Sequence, residues 1–102
     1  MTYKVILPSD FDEYDWEVEA KGWFDAASVE FDGQVIEVLF YDPTRLKQEV
    51  EHALSTNRVF FERNIVVVST VNRESIEAAA KFLYESGEFG RWKRGSIARP
   101  SN

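Results

Sequence analysis

The stretch Tyr14-Asp15-Trp16-Glu17-Val18-Glu19-Ala20 decides how this chain of 102 residues is read. Apolar and acidic residues alternate through it: Tyr14, Trp16, Val18 and Ala20 on one side, Glu13, Asp15, Glu17 and Glu19 on the other. Period two with that contrast predicts a strand with one covered face and one wet face. Downstream, Lys21-Gly22 can turn the chain and Trp23 to Phe31 can return it. Asp32-Gly33 is the strongest local signal, because a type I′ hairpin turn needs the positive φ that Asp and Gly tolerate. Gln34 to Tyr41 then reads as the next strand.

The two turns set a register. With Asp32-Gly33 as a two-residue loop, Phe31 faces Gln34, Val29 faces Ile36 and Ala27 faces Val38. With Lys21-Gly22 as another, Trp16 faces Ala27 and Tyr14 faces Val29. Tyr14, Trp16, Val18, Ala27, Val29, Phe31, Ile36, Val38 and Phe40 then share one face, a set that a one-residue slip would scatter. Asp25 falls on the same apolar side, with nothing in the pattern to explain it. The opposite face would hold Asp15, Glu17, Glu19, Ser28, Glu30 and Glu37, with Phe24, Val35, Leu39 and Tyr41 near its margins.

Outward from this core, Tyr3 to Leu7 reads as a first strand stopped by Pro8. Asp42-Pro43 opens a helix over about 43–56, with Leu46, Val50, Ala53 and Leu54 as its buried stripe. Val59 to Phe61 fits either a strand or a buried connection. Ile65 to Ser69 has no polar alternation, which predicts a strand covered on both sides or centrally placed. Asn72 caps a second helix over about 73–86, with Ile76, Ala79, Ala80 and Leu83 on one face and Gly87 at its end. The order β-β-β-β-α-β-α predicts an α+β fold: a two-layer sandwich with a mainly antiparallel sheet (β-meander 14–41) and both helices on its aromatic face. The link from Tyr41 to Ile65 would be a right-handed crossover. Residues 1–90 are expected to form one domain, and 91–102 a basic, flexible C-terminal tail.

Charge is unevenly spread. From Asp10 to Asp32 there are nine carboxylates and one base, Lys21, whereas the remaining residues hold nine acids and eleven bases, among them Arg91, Lys93, Arg94 and Arg99. The net charge of −6 repels nucleic acid and anionic lipid and attracts basic partners, so neither nucleic acid nor membrane is an expected partner. The absence of cysteine excludes disulfides, thiolate metal sites and a cysteine nucleophile. The longest aliphatic run, Ile65 to Val68, is far too short to span a bilayer, and a soluble cytoplasmic protein is expected.

No motif names a reaction. His52 is a lone helical histidine beside Glu49 and Glu51, a pattern typical of a surface position. Asp10, Asp12, Glu13 and Asp15 crowd one loop, but Tyr14 stands where a third cation ligand belongs and no glycine makes the sharp turn. Ser69-Thr70 precedes a helix without the glycine a phosphate would need, so capping is the expected role. Arg91-Trp92-Lys93-Arg94 could stack on single-stranded nucleic acid, but the net charge opposes it. There is no dinucleotide fingerprint, P-loop or zinc spacing. No catalytic residue, metal or cofactor is assigned. An enzyme is not expected, since a carboxylate site would need a cleft and a raised pKa.

What the chain does offer is an acidic surface with apolar anchors. That suits a small protein-binding module, an inhibitor or immunity-type protein that docks its sheet face on a basic partner such as a nuclease or nucleic-acid-binding protein. The expected contact residues are Asp15, Glu17, Glu19, Phe24, Glu30, Glu37 and Leu39. The alternative is a homodimer through the same face, using Phe24, Val35, Leu39 and Tyr41.

Overall fold

The computed structural model describes residues 2–97, with side chains up to residue 92. In chain order its elements are β1 (Tyr3–Ile6), α1 (Phe11–Lys21), β2 (Trp23–Phe31), β3 (Gln34–Tyr41), α2 (Pro43–Asn57), β4 (Ile65–Val67), α3 (Arg73–Glu85) and α4 (Glu88–Ile97). The strands form one sheet in the order β1-β2-β3-β4, antiparallel except for the parallel β3/β4 pair that α2 connects. This is the α+β class that the patterning predicts.

The hairpin follows its turn chemistry. Asp32 and Gly33 take φ values of 55° and 81°, and Phe31 pairs with Gln34, Val29 with Ile36 and Ala27 with Val38. Nearer the start of β2 the register shifts between Phe24 and Ala27, so that Asp25 and Ala26 stand against Leu39 alone. Such a bulge reverses which side chains face inward. It turns Phe24 into the core beside Phe40 and Asp25 out to solvent, which explains the misplaced aspartate.

Residues 14–20 are not a strand but belong to helix α1. Phe11, Tyr14 and Val18 are spaced i, i+3 and i+7, one face of a helix, and Glu and Ala favour that state. Asp12 and Glu13 lie in the first turn, where negative charge meets the positive end of the helix dipole. Gly22 does not make a hairpin. It is a left-handed C-terminal cap at φ 79°, its N–H donating to Val18 O at 2.9 Å. Tyr14 itself departs from helical geometry, with φ −135° and ψ 21°, and kinks α1. The place expected for 14–20 beside β2 is taken by β1, with Val5 opposite Val29 and Tyr3 opposite Phe31. The meander therefore begins at Trp23, and Trp16, expected in the core, is 67% exposed.

The core lies between one sheet face and three helices. Ala27, Val29, Ile36, Val38 and Phe40 pack with Phe11 and Val18 of α1, Ile76, Ala80 and Leu83 of α3, and Phe89 of α4. Helix α2 departs from expectation, because none of its residues is fully buried: Leu46, Val50 and Ala53 are half-buried and Leu54 is about half exposed. Its Arg45 lies over the Trp23 ring at 5.5 Å. Trp23 pairs with Tyr41, and both alternate with the core residues Phe24 and Phe40. They point to the other side of the sheet, so α2 attends that side and does not share a layer with α3.

Three further expectations change. Strand β4 is an edge strand rather than a central one: an aliphatic run says that both faces are apolar, not that both are covered. Val59 to Phe61 forms a connection whose Val59 and Phe61 are exposed. The segment from residue 91, expected as a tail, is helical through Ile97, and Trp92 packs edge-on against buried Phe89 at 5.9 Å. The rest of that tail, 98–102 with Arg99, lies outside the described residues.

Candidate interaction surface

Helix α1 is fixed on one face and at both ends. Phe11 N donates to Pro8 O at 3.0 Å and Glu13 N to Asp10 O at 2.9 Å, which starts the first turn. Phe11 meets Phe24 edge to face at 5.1 Å, and Tyr14 leans on Phe11 at 5.8 Å. Burial and the charge of Asp10 raise the Tyr14 phenol above its ordinary pKa. Arg73 of α3 lies over the Phe11 ring at 5.5 Å while its Nε donates to Asp12 at 3.0 Å. At the far end Asp42 N donates to Gly22 O at 2.8 Å, and Arg45 Nη1 donates to Lys21 O at 3.2 Å.

The outer side of this anchored helix carries exposed Glu13, Trp16, Glu17, Glu19 and Ala20. No base occurs from residue 10 to residue 20. A large indole thus stands in water among carboxylates, on a helix held at both ends. The alternation of residues 14–20 hid it by assigning Trp16 to the core, whereas the 11/14/18 helical spacing would have placed it outside.

The expected contact residues do not form one surface. Glu17 and Glu19 are exposed and Asp15 half-buried on α1, which packs on the core side of the sheet. Glu30 and Glu37 are exposed on the opposite sheet face, paired with Val35 and Ser28. Leu39 is half-buried on that second face, and Val35 is exposed. Phe24 is in the core. Tyr41 is buried, its hydroxyl donating to Glu62 at 2.7 Å, and burial together with that bond pushes its pKa well above the ordinary tyrosine value. The continuous acidic sheet face is therefore replaced by two separate acidic regions.

A second open feature lies at the other end of the sheet. A groove of about 490 Å³ runs between β4 and α3, lined by residues including Val66, Val68, Ala78, Phe82 and Trp92. Phe82 at its rim is as exposed as Trp16, at 67%. The helical spacing that marks Ala79 and Leu83 as inward leaves Phe82 outside its stripe.

The remaining candidates have local explanations. His52 is exposed on α2, and its carbonyl accepts the hydroxyls of Ser55 and Thr56. Asp12, Glu13 and Asp15 belong to the beginning of α1, with Asp10 as the residue before it. Among the described residues no group of three His, Asp or Glu side chains is placed to hold a metal ion. Asn72 caps α3 by accepting from Ser75 N at 2.8 Å. No described helix is long and apolar enough to cross a membrane. No family model, no curated protein and no solved structure matches this chain.

Proposed function

We propose that this chain is a small acidic protein-binding module of the inhibitor or immunity type, acting in the cytoplasm, that docks the outer face of α1 on a basic partner protein. The observation that carries this reading is Trp16, 67% exposed and flanked by the exposed carboxylates of Glu17 and Glu19. Tryptophan is enriched among the few residues that dominate binding energies, and a ring of charge around it steers a partner of opposite sign. An arginine on the partner would find both an aromatic face and a carboxylate within one helical turn. Steering of this kind raises association rates by about ten- to a thousand-fold and fades as salt is added.

Glu17 and Glu37 lie on opposite sides of the sheet, which makes the test direct. Parallel capture with wild type, Trp16→Ala, Glu17→Lys and Glu37→Lys baits should retain one partner on wild type and Glu37→Lys alone. Its association rate should fall between low and high salt. A partner held equally by all four baits, or with a salt-independent rate, would overturn the α1 assignment. The homodimer alternative through Phe24, Val35, Leu39 and Tyr41 has less to support it, because Phe24 and Tyr41 are buried.

A further inference from the structure

The ladder between β3 and β4 uses alternate residues of β4. Leu39 N donates to Asn64 O at 3.0 Å and Val68 N donates to Tyr41 O at 2.9 Å. In a parallel pair with this register, the N–H and C=O groups of Ile65 and Val67 point away from β3. No hydrogen bond from the described residues reaches them on that outer side. Among the described residues the strand is thus an open edge, guarded by its length of only three residues but by no charge and no proline from 65 to 68. The groove and Phe82 lie directly beside it.

We propose that this edge pairs with the same edge of a second copy of the chain, forming an isologous dimer with a continuous eight-stranded sheet. Self-pairing satisfies the geometry without any further requirement. With the two strands antiparallel and Val66 at the two-fold axis, Ile65 of each copy meets Val67 of the other. Both outward-pointing residues then exchange their N–H and C=O groups, giving four new hydrogen bonds. Side chains stay in phase: the two Val66 residues meet on the core side, and Ile65 meets Val67 on the other.

The available area limits this dimer to a weak one. Roughly 1,000 Å² in total, or about half that from each copy, marks the lower bound of a specific interface. A fully covered aromatic contributes about 150–250 Å². Phe82 at 67% exposure and Val67 at 47%, with the strand backbone, fall short of that half share, so the pairing belongs to the weak, concentration-dependent class. This surface is distinct from α1, so the dimer and the α1 contact can succeed or fail independently.

Light scattering and sedimentation of the full chain at about 0.15 M salt, where the Debye length of about 8 Å limits repulsion between acidic copies, test the pairing. Wild type should rise from the single-chain mass to twice that mass as its concentration increases toward about 1 mM, the weak end of measurable affinity. Val67→Pro removes an outward N–H without touching the ladder to β3, which is the strand position proline tolerates. Phe82→Glu puts a charge at the groove on an exposed helical site. Both variants should keep the single-chain mass at concentrations where wild type is dimeric. If Val67→Pro fails to fold, Phe82→Glu decides alone. A wild type that stays at the single-chain mass up to about 1 mM, or a Phe82→Glu variant that dimerises as wild type does, overturns the proposal.

Discussion

The carboxylate of Asp42 occupies the space that a side chain on Gly22 would need. A Cβ built on Gly22 would come within 2.6 Å of Asp42 Oδ2, and Asp42 N donates to Gly22 O at 2.8 Å. The same carboxylate caps α2 by accepting from Arg45 N at 2.7 Å. The end of α1 and the start of α2 are thus interlocked at one residue pair.

Gly22→Ala should therefore cost more than Gly33→Ala, although both glycines have nearly the same φ, 79° and 81°. The left-handed backbone alone costs a residue with a Cβ about 1–2 kcal/mol. Gly33 adds nothing to that, since nothing beyond its two chain neighbours lies within 4 Å of its Cβ position. At Gly22 the Asp42 carboxylate must move, and loss of an N-cap costs about 1 kcal/mol more. Urea unfolding of the two variants gives the difference. Equal costs would mean that Asp42 moves without loss.

Alkaline pH should expose the burial of Tyr41. Its folded-state pKa is raised above the ordinary 10.0, first by burial and then by the hydrogen bond to Glu62. The stabilisation linked to that shift is fully present below pH 10 and is lost as pH rises from there toward the folded-state value, because only the unfolded chain ionises in that window. Tyr14 is raised too, and contributes the same slope to wild type and to Tyr41→Phe. The stability difference between these two proteins should be flat from pH 7 to about 9 and shrink above about 10. Urea midpoints across that range measure it, and a gap that stays constant to pH 11 would show that Tyr41 is not shielded.

The parts of the fold legible in the sequence are those where one local requirement has one solution. Asp32-Gly33 demands positive φ twice, and the register from Ala27 to Val38 follows from it. Asp42-Pro43 and Asn72 start their helices for equally local reasons. Residues 14–20 were ambiguous because seven alternating positions satisfy a strand while the helical set 11/14/18 needs only three. Gly22 could not arbitrate, since glycine serves both a hairpin and a helix cap. The bulge at Asp25-Ala26 carries no glycine or proline to mark it. Helix α4 was hidden by Gly90 and Gly95, poor helix formers, and is anchored by Phe89 with Trp92. For the candidate surface, composition names the acids, but their division between α1 and the sheet depends on whether residues 14–20 form a helix or a strand.

Adjacent turns of α1 should respond oppositely to truncation. Phe11 is completely buried against Phe24 and beneath Arg73, so Phe11→Ala should cost roughly 3–5 kcal/mol, as large-to-small core changes do. Trp16 stands mostly in water on the outer side of the same helix, and Trp16→Ala should change stability by no more than about 0.5 kcal/mol. Thermal melts compare the two, and acrylamide quenching adds a second readout: removing Trp16 should remove the most accessible tryptophan emission. If residues 14–20 formed a strand with Trp16 inward, truncating it would cost as much as a core change and the quenchable emission would remain. A tolerated Trp16→Ala has a further use. Because the fold survives, any loss of partner binding by that variant, at least about tenfold for an anchor residue, measures the contact itself and not the helix that presents it.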